Sequence, residues 1–213
     1  MKIYLATGNK DKKREVQEMF PEHTIVIPKD ENIDFDPIED GKTFYENSLI
    51  KAKALYEIVH CPVIADDSGI CVDALNGAPG IFTSRYAGPD FMQGKPDGTK
   101  ISQAEQNKFL VEQTTKAIAD GKGKDRKAHY TCAMVAYFGA DRVFVCQETF
   151  EGEIIDRIEN ARGTNGFGYD PIFYVPEYKK TSAELTAEEK NAISHRGKAS
   201  RLLKSIVEKL LKA

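Results

Sequence analysis

Residues 2–20 read KIYLATGNKDKKREVQEMF, and this stretch decides the fold class. Lys2 to Ala6 is apolar enough for a short strand, Thr7-Gly8-Asn9 makes a turn, and Asp11 to Phe20 carries the spacing of an amphipathic helix. Strand, polar turn and helix in that order predict an α/β fold in which the helix start can meet phosphate. A second strand is expected near Thr24 to Ile27, followed by an acidic loop through Asp40. Thr43 and Glu46 form a capping box that opens a helix over Phe44 to Val59, with Phe44, Ala52, Leu55 and Val59 on one face. Asn47 and Lys51 share another face at i and i+4.

Pro62 resets the chain, and Val63 to Ala65 reads as a short buried strand that delivers Asp66-Asp67-Ser68-Gly69 at its end. Ile70 to Val72 continues extended, and Asn76 to Gly80 is a turn. Gly88 to Gly98 reads as loop and Ile101 to Ala119 as helix. The stretches Ala128 to Phe138 and Arg142 to Phe150 pair as a hairpin through Gly139-Ala140-Asp141, which predicts a mixed sheet with antiparallel pairing. A Gly-rich loop from Arg162 to Asp170 precedes a final helix over Thr186 to Leu211, broken near Ser194.

The 213 residues carry a formal net charge of -3, with 41% hydrophobic and 30% charged side chains. That composition suits a folded domain and leaves no basic footprint for duplex nucleic acid, so a polyanionic substrate must meet a local positive cluster. The run Lys122, Lys124, Arg126 and Lys127 reads as a solvated turn before a strand. No apolar run approaches the roughly 18 residues of a membrane span, and Ile3 to Ala6 is too short for a signal-peptide core, so a cytoplasmic setting is expected. Cys61, Cys71, Cys132 and Cys146 lack zinc-finger spacing and read as reduced thiols.

Five constellations carry chemistry. Thr7, Gly8 and Asn9 with Lys12 offer a hydroxyl, backbone NH groups, an amide and an ammonium beside a helix start, all suited to phosphate oxygens. An N-cap before a solvated helix is the ordinary alternative, since the full Walker pattern is missing. Asp66 and Asp67 leave an apolar strand together, which is costly unless they serve a cation, a cap or a partner base, and a turn with an N-cap explains them equally well. On extended backbone they point to opposite faces, so one is expected to be catalytic and the other structural. One acid from Glu39-Asp40-Gly41 with one from this pair would satisfy magnesium, which takes one or two carboxylates and fills its remaining sites with water and phosphate. Gly166-Phe167-Gly168-Tyr169-Asp170-Pro171 brings two aromatics into a tight loop where Phe167 or Tyr169 could stack on a base. A turn with core-packed aromatics explains it equally well. Lys190 and Ser194-His195-Arg196 supply donors, although a lone His-Arg pair usually decorates a surface.

Taken in order, TGNKDK at Thr7 to Lys12, EDGKTFYENSLIKAKA from Glu39, ADDSGICVDALNGAPGIFTSRYAG from Ala65, NGFGYDPIF from Asn165 and AELTAEEKNAISHRGKA from Ala183 resemble the Ham1/RdgB family of purine triphosphate pyrophosphatases, also called inosine triphosphatases. The match spans almost the whole chain, apart from a longer loop between Tyr86 and Gln103. The resemblance implies hydrolysis of ITP, dITP and XTP to monophosphate and pyrophosphate, with magnesium as cofactor. It assigns Thr7, Gly8, Asn9 and Lys12 to the triphosphate, Glu39 and Asp67 to the metal, and Asp67 to the general base. Ser68 would contact substrate, and Asn47 and Lys51, in the family's ENxxxKA helix, would orient phosphate or water. The loop Phe167, Gly168, Tyr169 and Asp170, with Lys190, His195 and Arg196, would form the nucleotide pocket. It further implies one domain over residues 1–213, an elongated mixed sheet wrapped by helices in two lobes with the site in the cleft, and a homodimer. Competing readings are a Maf-like pyrophosphatase for pyrimidine or modified nucleotides, whose SxSPRR-type segment is replaced by TGNKDKKRE, and a non-catalytic nucleotide-binding regulator. No nucleic-acid or membrane partner is expected.

Overall fold

In a computed structural model, the first strand, β1 (Lys2–Leu5), sends Ile3 and Leu5 into one apolar layer and Tyr4 and, just beyond it, Ala6 into another. The structure describes residues 1–212, so Ala213, the last residue of the domain expected over 1–213, lies outside it. The chain continues through α1 (Lys10–Met19), β2 (Thr24–Val26), α2 (Phe44–Val59), β3 (Val63–Val72), α3 (Gln103–Ala119), β4 (Lys127–Tyr137) and β5 (Val143–Ile154). It ends with β6 (Phe173–Val175), β7 (Lys180–Thr181), α4 (Ala187–Ile193) and α5 (His195–Lys212). Among the described residues, seven strands form one sheet in the order β2-β1-β3-β4-β5-β6-β7. β1 runs parallel to β2 and β3, whereas β6 is antiparallel to both β5 and β7, so the sheet is mixed as expected.

The chain divides into two compact units, one made of Met1–Asp67, Thr131–Thr149 and the chain from Asn191 onward, the other of Ser68–Tyr130 and Phe150–Lys190. In the first unit the period-2 alternation of the strands builds two cores. Ile3, Leu5, Ile64, Cys132, Met134 and Ala136 pack with Val16 of α1 and with Ala199, Leu203 and Val207 of α5. Tyr4, Val63, Ala65, Val135 and Tyr137 pack on the opposite side with Ala52 and Leu55 of α2. Each fully buried Leu or Ile contributes on the order of 1.5–3 kcal/mol. The expected capping box is formed: the Glu46 NH donates to Thr43 Oγ1 at 3.1 Å and the Thr43 NH to Glu46 Oε2 at 3.0 Å. Phe138 NH donates to the Arg142 carbonyl at 3.0 Å, closing the expected hairpin.

In the second unit Tyr130, Phe150 and Phe173 form an aromatic cluster with centroids 4.8 to 6.5 Å apart. Gly152 lies against it, since a Cβ there would meet the Phe173 ring at 2.5 Å. Lys122, Lys124 and Lys127 are exposed before and at the start of β4, as expected of a solvated turn, but Arg126 of the same run is half-buried and donates to the Ile155 carbonyl at 3.0 Å and to Thr115 Oγ1 at 2.9 Å. All four cysteines are free, with Cys61 only half-buried.

Two expectations need correction. Asp66-Asp67-Ser68-Gly69 is not a strand end: β3 runs unbroken from Val63 to Val72 through the acids, despite the turn-like Ser and Gly. The helix expected from Ile101 starts at Gln103, because Ser102 acts as its N-cap and accepts from the Glu105 NH.

Candidate active site

The pleat of β3 decides what each acid meets. Asp66 has the parity of Ile64 and enters the layer of α1 and α5; Asp67 has the parity of Val63 and Ala65 and enters the layer of α2. Asp66 is fully buried, and its Oδ2 accepts from Arg196 Nε at 3.2 Å, Arg196 Nη2 at 3.1 Å and Lys12 Nζ at 3.1 Å. Cys132 Sγ lies 3.9 Å from the same oxygen. Glu15 takes Arg196 Nη1 from the other side. Burial alone would raise the Asp66 pKa, but the charges of Lys12, Arg196 and Lys51 outweigh it and hold the carboxyl well below the usual range. Arg196 is therefore no surface decoration: its guanidinium lies in the interior of the first unit, bound by Asp66 and Glu15, and His195 beside it is buried too.

A depressed carboxyl pKa stabilises the fold at pH values above the ordinary aspartate range and loses that contribution as pH falls below it. Asp66→Asn is accordingly expected to cost about 2 kcal/mol at neutral pH, lowering Tm by roughly 4–8 °C, with a smaller loss of turnover than at Asp67. Calorimetry at neutral and acid pH checks this: the Tm gap should shrink below about pH 4, and a gap that widens in acid contradicts the assignment.

Asp67 meets α2. Lys51 Nζ, one turn beyond Asn47, lies 3.0 Å from Asp67 Oδ1 and 3.1 Å from Glu39 Oε2. Asn47 Nδ2 lies 3.4 Å from Asp67 Oδ2, and Asn47 Oδ1 accepts from the Gly41 NH at 2.9 Å. Burial raises the Asp67 pKa and the neighbouring Glu39 adds to it, against the opposing pull of Lys51 and Lys12. For Lys51 burial acts downward, but Asp67, Glu39 and Asp66 outweigh it and the net direction is up. The two carboxylates thus converge on one positive centre. Among the described residues no group of three or more acids, histidines or cysteines gathers as a complete metal cage. Two acids nonetheless fit a hard cation that takes its other oxygens from substrate and water.

The turn after β1 serves the same unit. Asn9 is the N-cap of α1, its Oδ1 accepting from Asp11 NH at 2.8 Å and Lys12 NH at 3.3 Å, while Thr7 Oγ1 accepts from Asn9 NH at 3.1 Å. Gly8 is exposed, with nothing within 4 Å of where a Cβ would stand. The capping role and the phosphate role expected of this turn are compatible, because the cap leaves the exposed backbone at the positive end of the helix dipole.

The second unit holds Ser68, half-buried on β3, and the 166–170 loop. Asp170 is its hub: Oδ2 accepts from Lys190 Nζ at 2.6 Å and from Phe167 NH at 2.8 Å, and Oδ1 from Ser182 Oγ at 2.9 Å. Gly166 has φ +75, and a Cβ there would strike the Asp170 carboxylate. The two aromatics separate in role. Tyr169 is buried and donates its hydroxyl to the Thr83 carbonyl at 3.1 Å, whereas Phe167 is half-buried with Lys190 Nζ 5.3 Å from its ring centroid. Core packing explains Tyr169, and Phe167 is the less buried of the two rings. Asn107 of α3 lies 3.4 Å from the Gly168 carbonyl. Sequence reasoning missed Glu15, Ser182, Thr83 and Asn107; only Glu15, three residues after Lys12 on α1, carried a signal.

Comparison with known proteins finds relatives over nearly the whole chain. A sequence profile of the Ham1 family matches residues 3–206. The chain is 56% identical over 200 residues to a dITP/XTP pyrophosphatase of Treponema denticola, covering 93% of this chain and 94% of that protein. A dITP/XTP pyrophosphatase of Bacillus anthracis is 44% identical over 207 residues, covering 94% and 93%. The solved structure of a HAM1 protein from Coxiella burnetii superposes with a TM-score of 0.80 at 37% identity, covering 98% of this chain and 99% of that one.

Proposed function

This chain belongs to the Ham1 family, and from that premise we propose that it hydrolyses dITP, XTP and ITP to the nucleoside monophosphate and pyrophosphate, removing them from the nucleotide pool. One observation carries the chemistry: Glu39 and Asp67 share the Lys51 ammonium, which brings the two carboxylates to one point where they could also serve a single metal cation. A magnesium ion held by Glu39 and Asp67 would offset the phosphate charge as pyrophosphate leaves. The raised pKa of Asp67 suits it to accept a proton from the water that attacks the α-phosphorus. Thr7, Gly8 and Asn9 present hydroxyl, backbone and amide groups to the triphosphate, and Lys12 and Lys51 balance its charge. Phe167 supplies the face for the purine, beside the Lys190 ammonium that lies over its ring and is anchored by Asp170. The assignments of Ser68 and His195 to substrate rest on the family motifs alone. No helix among the described residues is long and apolar enough to cross a membrane. One domain of two lobes, a cytoplasmic setting and a homodimer complete the proposal.

Release of pyrophosphate from ITP should stop in excess chelator and return in full when magnesium is restored. Ion chromatography of the products tests the site of cleavage in the same experiment: IMP and pyrophosphate are expected. Full activity in chelator, or IDP with orthophosphate, would refute the mechanism.

A further inference from the structure

We propose that Asn47 is a positioning residue for the acid pair and does not itself contact the nucleotide. The inference deepens the metal reading of Glu39 and Asp67 and rests on it. Asn47 is 1% exposed, and its amide links two parts of the first unit, with Oδ1 on the Gly41 NH at 2.9 Å and Nδ2 towards Asp67 Oδ2 at 3.4 Å. Gly41 stands two residues after Glu39, so the link ties the backbone of one acid to the carboxylate of the other. The next two NH groups are captured as well, Lys42 at 2.6 Å and Thr43 at 3.0 Å, both by Glu46 Oε2. Three successive NH groups of the acidic loop are thereby held by two side chains in the first turn of α2.

The loop can close this tightly only at glycine. A Cβ on Gly41 would stand 2.6 Å from Asn47 Oδ1, 2.8 Å from Glu46 Cβ and 2.9 Å from the Asn47 nitrogen. The requirement is for space, since Gly41 is not among the positive-φ glycines. Lys51 closes the other side by holding both carboxylates, which leaves Asp67 with each oxygen bound by a different residue of α2. A buried amide engaged at both ends sets the separation and orientation of the acids, as outer-shell partners of metal ligands commonly do.

The test uses the full chain and Mn²⁺ as probe, read by electron paramagnetic resonance of the free ion without nucleotide. Asn47→Ala and Gly41→Ala should each raise the Mn²⁺ Kd by roughly 10-fold, and the double variant should be little worse than either, because both break one link. Binding of a non-hydrolysable ITP analogue in EDTA should stay within about twofold of the parent protein. Parental Mn²⁺ affinity in both single variants overturns the proposal, as does loss of analogue binding by Asn47→Ala in EDTA. If Asn47→Ala does not fold, Gly41→Ala decides alone. Glu39→Gln separates the two levels: if it lowers Mn²⁺ affinity while the Asn47 and Gly41 variants do not, only the link is wrong. Parental Mn²⁺ affinity in Glu39→Gln overturns the link together with the metal reading beneath it.

Discussion

Asp67→Asn is expected to turn over ITP on the order of 100-fold more slowly than the parent protein, or worse, while melting within a few degrees of it. A 100-fold loss is about 2.7 kcal/mol of activation free energy, a reasonable share for a base that also helps to place a cation. The stability half of the expectation comes from the sign of the pKa shift. Burial and the nearby Glu39 raise the Asp67 pKa, so the ionised form is less favourable in the folded chain than in the unfolded one. Replacing it by a neutral isostere removes that cost at neutral pH, and Asn can still accept from Lys51. Asp66→Asn should show the opposite balance, a clear loss of Tm with the smaller loss of rate. Steady-state kinetics and calorimetry on both variants decide it: if Asp66→Asn is the slower enzyme and Asp67→Asn the less stable fold, the two acids have exchanged roles across β3.

That contrast was legible in the sequence as far as local rules reach. Strand alternation says that adjacent acids face opposite ways, and the structure sends Asp66 to Arg196 and Lys12 and Asp67 to Lys51. It could not say which acid meets which layer, because that depends on α1, α2 and α5 packing on particular faces. The Thr43–Glu46 capping box and the break at Ser194 were readable because they are made by neighbours in sequence. The pairing of Glu15 with Arg196 was not, since 181 positions separate them and neither residue type is normally buried. β6 and β7 escaped for a different reason: three and two residues are too few to show a period. Asn47 illustrates the same limit at close range. The sequence placed it on one helix face with Lys51, but only the approach of Gly41 shows that its amide is engaged at both ends.

Selectivity should be the largest effect, with kcat/KM for ITP, dITP and XTP exceeding that for ATP by roughly 10⁴-fold. Hypoxanthine and xanthine carry an acceptor oxygen at the 6-position, where adenine carries an amino donor. The Arg196 guanidinium is bound by Asp66 and Glu15, so the donor that tells these bases apart is assigned instead to Lys190. Its ammonium is anchored by Asp170, which Ser182 and the Phe167 NH hold in turn, and it lies 5.3 Å from the Phe167 ring centroid. A purine stacked on Phe167 would meet this ammonium with its 6-oxygen, whereas ATP would bring donor against donor and leave both unsatisfied. Such a buried mismatch costs far more than a missing methyl group can. GTP shares the 6-oxo group and must be refused at its 2-amino group by close packing, whereas the 2-oxo group of XTP can accept a hydrogen bond. Lys190→Met should therefore lower kcat/KM for ITP much more than for ATP and narrow their ratio by at least about 100-fold. The ratio is measured on one preparation, so any fraction of the variant that fails to fold cancels from it. Arg196→Ala should lower stability and rate but leave the ratio largely in place. An unchanged ITP to ATP ratio in Lys190→Met would move the discriminating donor elsewhere, and comparable kcat/KM for the two nucleotides in the parent protein would overturn the selectivity itself.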